Sequence, residues 1–328
     1  MRAVVLPEFG PAGGLVLTEV PDPVAGPGQA LVDVEIANIT FVETQVRAGN
    51  PPNPAMAPRL PVVLGNGVGG VVSSVGAGVD PALPGRRIVT TTGGSGGYAE
   101  RVAVDAAGLI EVPAGLGLAE AVAVLADGRT ALALIRAAAV RAGQVVLVEA
   151  AAGGVGSLLV QLARNVGARV VAAAGGPRKV ALAEGLGASL AADYTDPRWV
   201  GRVRALIGGV DAVFDGVGGT IGRAAFDLVR DGGRFCAYGL ASGAFTQIPV
   251  DEASRRGVTV VRGAALSPAE MGELTRAAIA ETAAGWLRPV IGQTFPLARA
   301  ADAHAAIEAR ATVGKTLLLV SGQAGSDR

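Results

Sequence analysis

The sequence holds one cysteine and one histidine in 328 residues. The lone thiol, Cys236, cannot close an internal disulfide, and nothing else points to an oxidising compartment. Aromatic residues make up only 4% of the chain, and 28 basic residues cancel 28 acidic ones. No basic run is interleaved with aromatics, so a nucleic-acid partner is not expected. No uncharged apolar stretch approaches the ~20 residues of a membrane span. The apolar run in Arg2-Ala-Val-Val-Leu-Pro7 is too short for a signal-peptide core. The expectation is a soluble, cytoplasmic protein that engages neither nucleic acid nor membrane.

Hydrophobic residues are plentiful instead, at 50% of the chain. A chain of this length is long for one core, and two structural domains are expected. The 49 glycines are about twice the ordinary share. They follow no fixed period, which excludes collagen and solenoid arrays and points to many tight turns.

The texture changes along the chain. Up to about Gly117 it reads as β-rich: Val32-Asp-Val-Glu-Ile36 alternates strictly, and short apolar runs follow at Val71–Val75, Ile88–Thr92 and Tyr98–Val104. The proline-rich stretch Asn50–Pro61 reads as an ordered loop. Beyond Gly117, strands and helices alternate, which predicts βαβ units on a parallel sheet. The predicted strands are Val145–Val148, Val170–Ala173, Ala212–Asp215, Phe235–Tyr238 and, last of the sheet, Val258–Val261. The predicted helices are Leu118–Ala138, one striped by Val155, Leu158, Leu159, Leu162 and Val166, then Lys179–Leu186 and Ala224–Val229. After Pro268 a long helix leads to short strands that end in Thr316–Val320, and Ser321–Arg328 reads as a frayed tail.

The strand Val145–Val148 runs into Ala150-Ala-Ala152-Gly153-Gly154-Val155-Gly156, where a helix starts. This is a dinucleotide-binding turn with alanine in the first glycine's place. Gly153 lets the backbone approach a pyrophosphate, and Gly156 lets the helix pack on the strand. Free N–H groups and the helix dipole favour the anion there. After the second strand, an acidic residue would bind the ribose hydroxyl of NAD. This chain instead reads Ala174-Gly175-Gly176-Pro177-Arg178-Lys179. Two cations without a carboxylate at that point favour NADPH.

These segments, with Asn38–Gly49, Pro61–Gly78, Gly97–Glu100, Gly128–Ala131, Phe214–Gly218, Gly232–Gly239 and Ala311–Lys315, resemble the zinc-free quinone oxidoreductase (zeta-crystallin-like) branch of the medium-chain dehydrogenase/reductase superfamily. The resemblance covers essentially the whole chain. It implies an α/β fold in which a Rossmann doubly wound parallel sheet is inserted into a GroES-like β-barrel domain. The implied division is residues 1–118 for the first part of the GroES-like catalytic domain, 119–264 for the Rossmann domain and 265–328 for the return. It also implies that Lys179 and Tyr194 contact the 2′-phosphate, and that Thr130 and the loop Tyr238, Gly239 to Ser242 lie near the nicotinamide. Val217 and Lys315 fall in matched stretches and join the implied cofactor contacts.

The departures concern the substrate side. Where zinc-bearing alcohol dehydrogenases of the superfamily carry Gly-His-Glu, this chain has Gly65-Asn66-Gly67, and Thr40 stands near their cysteine. Zinc needs Cys, His or carboxylate ligands, so no metal is expected. The zinc-free relatives commonly have Asn, Asp and Tyr where this chain has Thr40, Glu43 and Gln45, so substrate preference is open. Gly93-Gly-Ser95-Gly-Gly97 matches a nucleophile-elbow pattern, but a strand and not a helix is expected after it. His304 reads as a partly exposed helix residue, Cys236 as a small core residue, and Trp199 and Trp286 as edge-packing residues.

The expected activity is hydride transfer from NADPH to a quinone or an α,β-unsaturated carbonyl, a small hydrophobic substrate. Thr40, Gln45, Asn66 and Thr130 are the candidate donors to the developing oxyanion. A substrate-specific enoyl reductase of secondary metabolism and a non-catalytic NADPH-binding redox sensor or structural protein remain as alternatives. The run Val258–Val261 is short, β-branched and at an expected sheet edge, which suggests a homodimer through strand pairing.

Overall fold

A computed structural model describes residues 1–263 and 266–320. The strands of the first third are β1 (Arg2–Leu6), β2 (Val16–Glu19), β3 (Gln29–Ile39), β4 (Val62–Val63), β5 (Gly67–Val75), β6 (Arg87–Thr91), β7 (Arg101–Asp105) and β8 (Ile110–Glu111). Then come β9 (Val145–Glu149), β10 (Arg169–Ala174), β11 (Leu190–Asp193), β12 (Val210–Asp215), β13 (Val229–Ala237) and β14 (Thr259–Arg262). The last are β15 (Ile291–Pro296) and β16 (Lys315–Leu319). The α-helices are α1 (Phe41–Arg47), α2 (Leu118–Ala137), α3 (Gly154–Asn165), α4 (Pro177–Gly185) and α5 (Trp199–Ile207). They continue with α6 (Gly219–Phe226), α7 (Val250–Arg255), α8 (Pro268–Ala283) and α9 (Ala300–Glu308).

The chain forms two compact units. The first comprises Met1–Ala126, Thr275–Gly285 and Pro289–Arg328; the second comprises Asp127–Leu274 and Trp286–Arg288. In the first unit, β15-β16-β3-β5-β6-β8 form one sheet in which β7 also pairs with β3, and β2-β1-β4 form another. The pairings are antiparallel except β15 with β16. The alternation read at Val32 and Val34 continues here: both are buried while Asp33 between them is exposed. They join Ile39, Val68, Val72, Ile88 and Leu318 in one core.

In the second unit the order β11-β10-β9-β12-β13-β14 is wholly parallel. Counted from β9 this is 3-2-1-4-5-6, the Rossmann order, with its switch point between β9 and β12. Every residue of β9 is buried, as expected for a parallel strand covered on both faces. The apolar stripe of α3 buries Leu158, Leu159 and Leu162. Leu147, Val171, Val213, Phe226 and Phe235 form the core on one side, with the two phenylalanine rings edge to face at 5.6 Å.

Three sequence readings need correction. Val229 opens a strand, and the helix before it runs over Gly219–Phe226; small residues at Gly219 and Gly222 hid its start. Trp199 is not at an edge but in the core of the second unit, 3% exposed, whereas Trp286 is 68% exposed. His304 is fully buried in the first unit, where its Nε2 lies 3.1 Å from the Tyr98 hydroxyl. Its alanine-rich neighbours are too small to show which helix face turns inward.

Burial, aided by the buried Arg47 guanidinium, pushes His304 down to about 3. The folded protein therefore keeps His304 neutral while the unfolded chain protonates it near its usual value of about 6.5. The stability tied to the neutral ring is present above that value and is lost as pH falls toward about 3. His304→Gln should flatten urea-derived unfolding free energy across this acid window. An unchanged acid slope would rule out His304 as its source.

Candidate functional site

In the second unit the carboxyl ends of the parallel strands gather the glycine turn. Gly153 caps α3 in an extended conformation without any side-chain cap, which leaves the first-turn N–H groups directed outward. Ala150 adopts a left-handed conformation at φ 47°, and its carbonyl accepts from Gly153 N at 2.8 Å. A Cβ on Gly156 would stand 2.2 Å from that same carbonyl oxygen. The turn therefore requires glycine at 156, and Ala152, Gly154 and Val155 complete it. Uncapped amides at a helix N-terminus, with backbone able to come close, fit a pyrophosphate.

The loop after β12 lies beside this turn. Asp215 is fully buried, and its carboxylate accepts from Val217 N at 3.0 Å, Gly218 N at 2.6 Å and Thr246 Oγ1 at 2.6 Å. The Val217 carbonyl accepts from Ser242 N at 2.7 Å, and Tyr238 and Gly239 donate backbone N–H groups to the Asp215 carbonyl. The Tyr238 hydroxyl donates to the Glu149 carbonyl at 3.3 Å. Burial and then the charge of the neighbouring Asp215 push the Tyr238 phenol up, so it remains a neutral donor. Val217, Tyr238, Gly239 and Ser242 are thus brought together, while Thr130 stands half-buried in α2.

At the ends of β10 and β11, Gly175 lies against the Tyr194 ring. A Cβ on Gly175 would meet the Tyr194 ring at 3.0 Å. Gly176, at φ 87°, caps α4; Arg178 is exposed and Lys179 half-buried in its first turn. Sequence reasoning missed Asp193. Its carboxylate reaches over from β11 to accept from Gly176 N at 3.0 Å, Thr195 N at 2.9 Å and Thr195 Oγ1 at 2.7 Å. Burial raises its pKa, but those donors outweigh burial and hold it below the usual carboxylate range. A carboxylate does stand beside this turn; it comes from the neighbouring strand, and its oxygen is engaged in fixing the turn.

In the first unit, Glu43 is the organising residue. Thr40 caps α1, and a capping box joins the two: the Thr40 amide donates to Glu43 Oε2 at 2.5 Å and its hydroxyl to the same oxygen at 3.0 Å. The other oxygen, Oε1, accepts from Asn66 N at 2.8 Å. Burial raises Glu43 above the usual carboxylate range, while these donors and the charge of Lys315 oppose the rise. Thr40, Asn66 and Lys315 are therefore collected around one buried carboxylate. Lys315, implied among the cofactor contacts, is itself buried at the start of β16.

Asn66 Oδ1 accepts from Gly94 N at 2.7 Å, which fixes the amide with Nδ2 as the donor it can present. Thr40, by contrast, uses its hydroxyl proton on Glu43. Gln45 is half-buried on α1. A Cβ on Gly67 would lie 2.5 Å from Asn38 Nδ2, so the buried Asn38 fills the space a longer residue would need there. Among the described residues, no group of three or more His, Cys, Asp or Glu is arranged to hold a metal ion. The Gly93–Gly97 loop is followed by β7, so it lacks the helix of a nucleophile elbow.

Two family models match: the alcohol dehydrogenase GroES-like domain over residues 26–114 and the family described as zinc-binding dehydrogenase over 186–318. A 2-haloacrylate reductase from a Burkholderia species is 32% identical, covering 97% of this chain and 98% of that protein. A quinone oxidoreductase of Pseudomonas aeruginosa is 33% identical, covering 90% of this chain and 92% of that protein. A mycobacterial protein solved in complex with NADPH superposes with a TM-score of 0.88 at 33% identity, covering 98% of this chain and 100% of that one. A Rossmann sheet interrupting a GroES-like domain in sequence, with these likenesses along nearly its full length, places the chain in the quinone oxidoreductase branch of the medium-chain dehydrogenase/reductase superfamily.

Proposed function

We propose that this protein is a zinc-independent reductase that uses NADPH to reduce a quinone or an α,β-unsaturated carbonyl compound. The observation that carries the reading is the uncapped α3 turn, in which Gly156 leaves no room for a side chain beside the Ala150 carbonyl. The residues fit the nucleotide: Ala152–Gly156 would hold its pyrophosphate, and Gly175, Arg178, Lys179 and Tyr194 its adenosine 2′-phosphate. Thr130, Val217, Tyr238, Gly239 and Ser242 would flank the nicotinamide, and Lys315 completes the proposed set. The proposed division of labour follows the expected boundaries, with 119–264 binding the nucleotide and 1–118 with 265–328 serving the substrate.

When bound, NADPH supplies a hydride. The chain's own task is to steady the negative charge that develops on the carbonyl oxygen of the acceptor. With Thr40 committed to Glu43, the Asn66 amide is the leading neutral donor, supported by Gln45 and Thr130. Thr40, Asn66 and Gly67 stand where a zinc site would need its ligands and offer none. The named activities of the relatives, quinone oxidoreductase and 2-haloacrylate reductase, both involve a conjugated acceptor and support this substrate class.

The reading is tested with NADPH consumption on a panel of quinones and enones, followed by isotope placement. For an enone, the β-carbon gains the cofactor hydride, the alkene electron pair moves to the carbonyl oxygen, and the α-carbon then takes a solvent proton. Deuterated NADPH should label the β-carbon and heavy water the α-carbon. Asn66→Ala should lower turnover by ~10²-fold with little change in NADPH affinity. Reactivation of chelated enzyme by added zinc would refute the zinc-independent mechanism.

For cofactor choice, a charge-assisted bond to phosphate contributes roughly 1.5–3 kcal/mol, about 10–100-fold in affinity. Lys179→Ala should weaken NADPH binding within that range and leave NADH nearly unaffected. Equal affinity of the unaltered protein for both nucleotides by titration calorimetry would refute the NADPH preference.

A homodimer is proposed through β14. This strand is hydrogen-bonded only to β13 among the described strands, and Val260 and Val261 are half-buried at the sheet edge. Pairing with a second copy would continue the sheet and cover that edge. Light scattering at micromolar concentration should give twice the 32.5 kDa chain mass; a monomer mass would exclude the assembly.

A further inference from the structure

Glu149 ends β9 and immediately precedes the phosphate turn, yet its carboxyl group is wholly buried and neither oxygen has a hydrogen-bond partner among the described residues. The register explains what lies beside it. Leu147 pairs with Val213 and Val148 with Phe214, so Glu149 and Asp215 are the next residues on two adjacent strands. They stand together at the switch point of the sheet. Asp215 is equally buried but takes three donors, from Val217, Gly218 and Thr246.

Among the described residues, no cation acts on Glu149. From β12 the ionisable group facing Glu149 is Asp215, and from the end of β13 it is Tyr238, which binds the Glu149 carbonyl. Asp127 and Tyr194 act on Tyr238 and not on Glu149. β10 presents Ala172, Ala173 and Ala174. A buried ion without a partner neutralises, and two adjoining carboxylates do not both stay ionised.

We propose that Glu149 carries a proton which it donates to Asp215, and that this acid pair is a positioning device tying the Ala150–Gly156 turn to the Val217–Gly218 loop. A protonated carboxyl has one O–H to give and so resolves the orphaned state of Glu149. It also removes one of two negative charges from beneath the place where the proposed pyrophosphate sits. Burial, then the charge of the adjoining Asp215, hold Glu149 well above the usual carboxyl range, against a smaller opposing effect of the nearby Val217 amide. The folded protein thus holds this proton more tightly than the unfolded chain does. Stability from the pair is complete below the ordinary carboxyl value and is lost as pH rises through the folded value.

Infrared spectroscopy of the whole protein tests the proton directly. At pH 7 the unaltered chain should show a protonated-carboxyl band that shifts in heavy water and disappears in Glu149→Gln. No such band, or one that survives this substitution, overturns the proposal. If Glu149→Gln does not fold, Asp215→Asn must shift the same band, and an unmoved band overturns the pair. Linkage provides a second readout. Between the unfolded and folded values the native state holds one extra proton, so its unfolding constant should gain about tenfold per pH unit relative to Glu149→Gln.

The consequence for nucleotide binding rests on the proposed NADPH reading. Glu149→Ala should weaken NADPH by about tenfold, and Glu149→Gln, whose amide N–H replaces the lost donor, should restore it. Glutamine failing to rescue a weakened alanine variant would remove the positioning role. If the unaltered protein binds no NADPH, the functional reading fails, while the infrared band and the pH slope still decide the acid pair.

Discussion

The hydrogen-bonded contact between β9 and β12 is the constraint on which the second unit of this protein depends. Parallel strands must be joined by crossovers, and here the crossovers proceed outward in opposite directions from those two strands. Their following loops diverge and leave backbone amides at the switch point without a covering helix. The Ala150–Gly156 turn and the Asp215–Gly218 loop occupy those positions for topological reasons, before any side chain is considered. Side chains then stabilise the arrangement: Asp215 collects the amides of its own loop, and Tyr238 crosses from β13 to the carbonyl of Glu149.

The first unit solves a similar problem differently. Its candidate groups lie on a helix cap, a loop and a strand end, so no single sheet edge aligns them. One carboxylate does so instead. Glu43 accepts from the amides of Thr40 and Asn66 and feels the charge of Lys315. Removing such an acceptor leaves buried donors unsatisfied at about 1–3 kcal/mol each. The zinc-bearing members of the superfamily place a metal ligand at the position of Asn66; here that residue is oriented by Glu43 through its backbone and by Gly94 through its side chain.

Much of this was legible in sequence because it is periodic or stereochemically exclusive. The parallel sheet was visible from apolar runs alternating with helical stripes, and β14 was placed within one residue of its expected start. The glycine turn between β9 and α3 was visible because Gly156 sits where nothing larger fits. What escaped depends on contacts across strands. Asp193 is 17 positions from the Gly176 amide it holds, and nothing in the intervening spacing reveals a register in which Ala174 pairs with Asp193. His304 looked exposed because alanine neighbours give no amphipathic contrast. The left-handed Ala150 was equally hidden: alanine there costs roughly 1–2 kcal/mol relative to an ordinary conformation, and only the backbone shows that the turn needs it.

Glu43 and Glu149 show how the same side chain, buried in both places, takes opposite roles according to the donors around it. Glu43 has two backbone amides, a hydroxyl and a nearby ammonium charge, and those groups draw it toward the ionised state. Glu149 has a carboxylate for a neighbour on β12 and the alanines of β10 on its other side, which favour the protonated state. A donor-rich site uses a carboxylate as an acceptor that gathers groups, whereas a donor-poor site beside another acid uses a carboxyl as the donor itself. The distinction matters most at the switch point. The proposed nucleotide would bring its own negative charge there, so an anionic Glu149 would oppose the anion that the uncapped Gly153–Gly156 amides favour. The neutral acid leaves only the Asp215 charge, already engaged by three donors, near the amides of α3, and burial of the pair from solvent is what maintains that state.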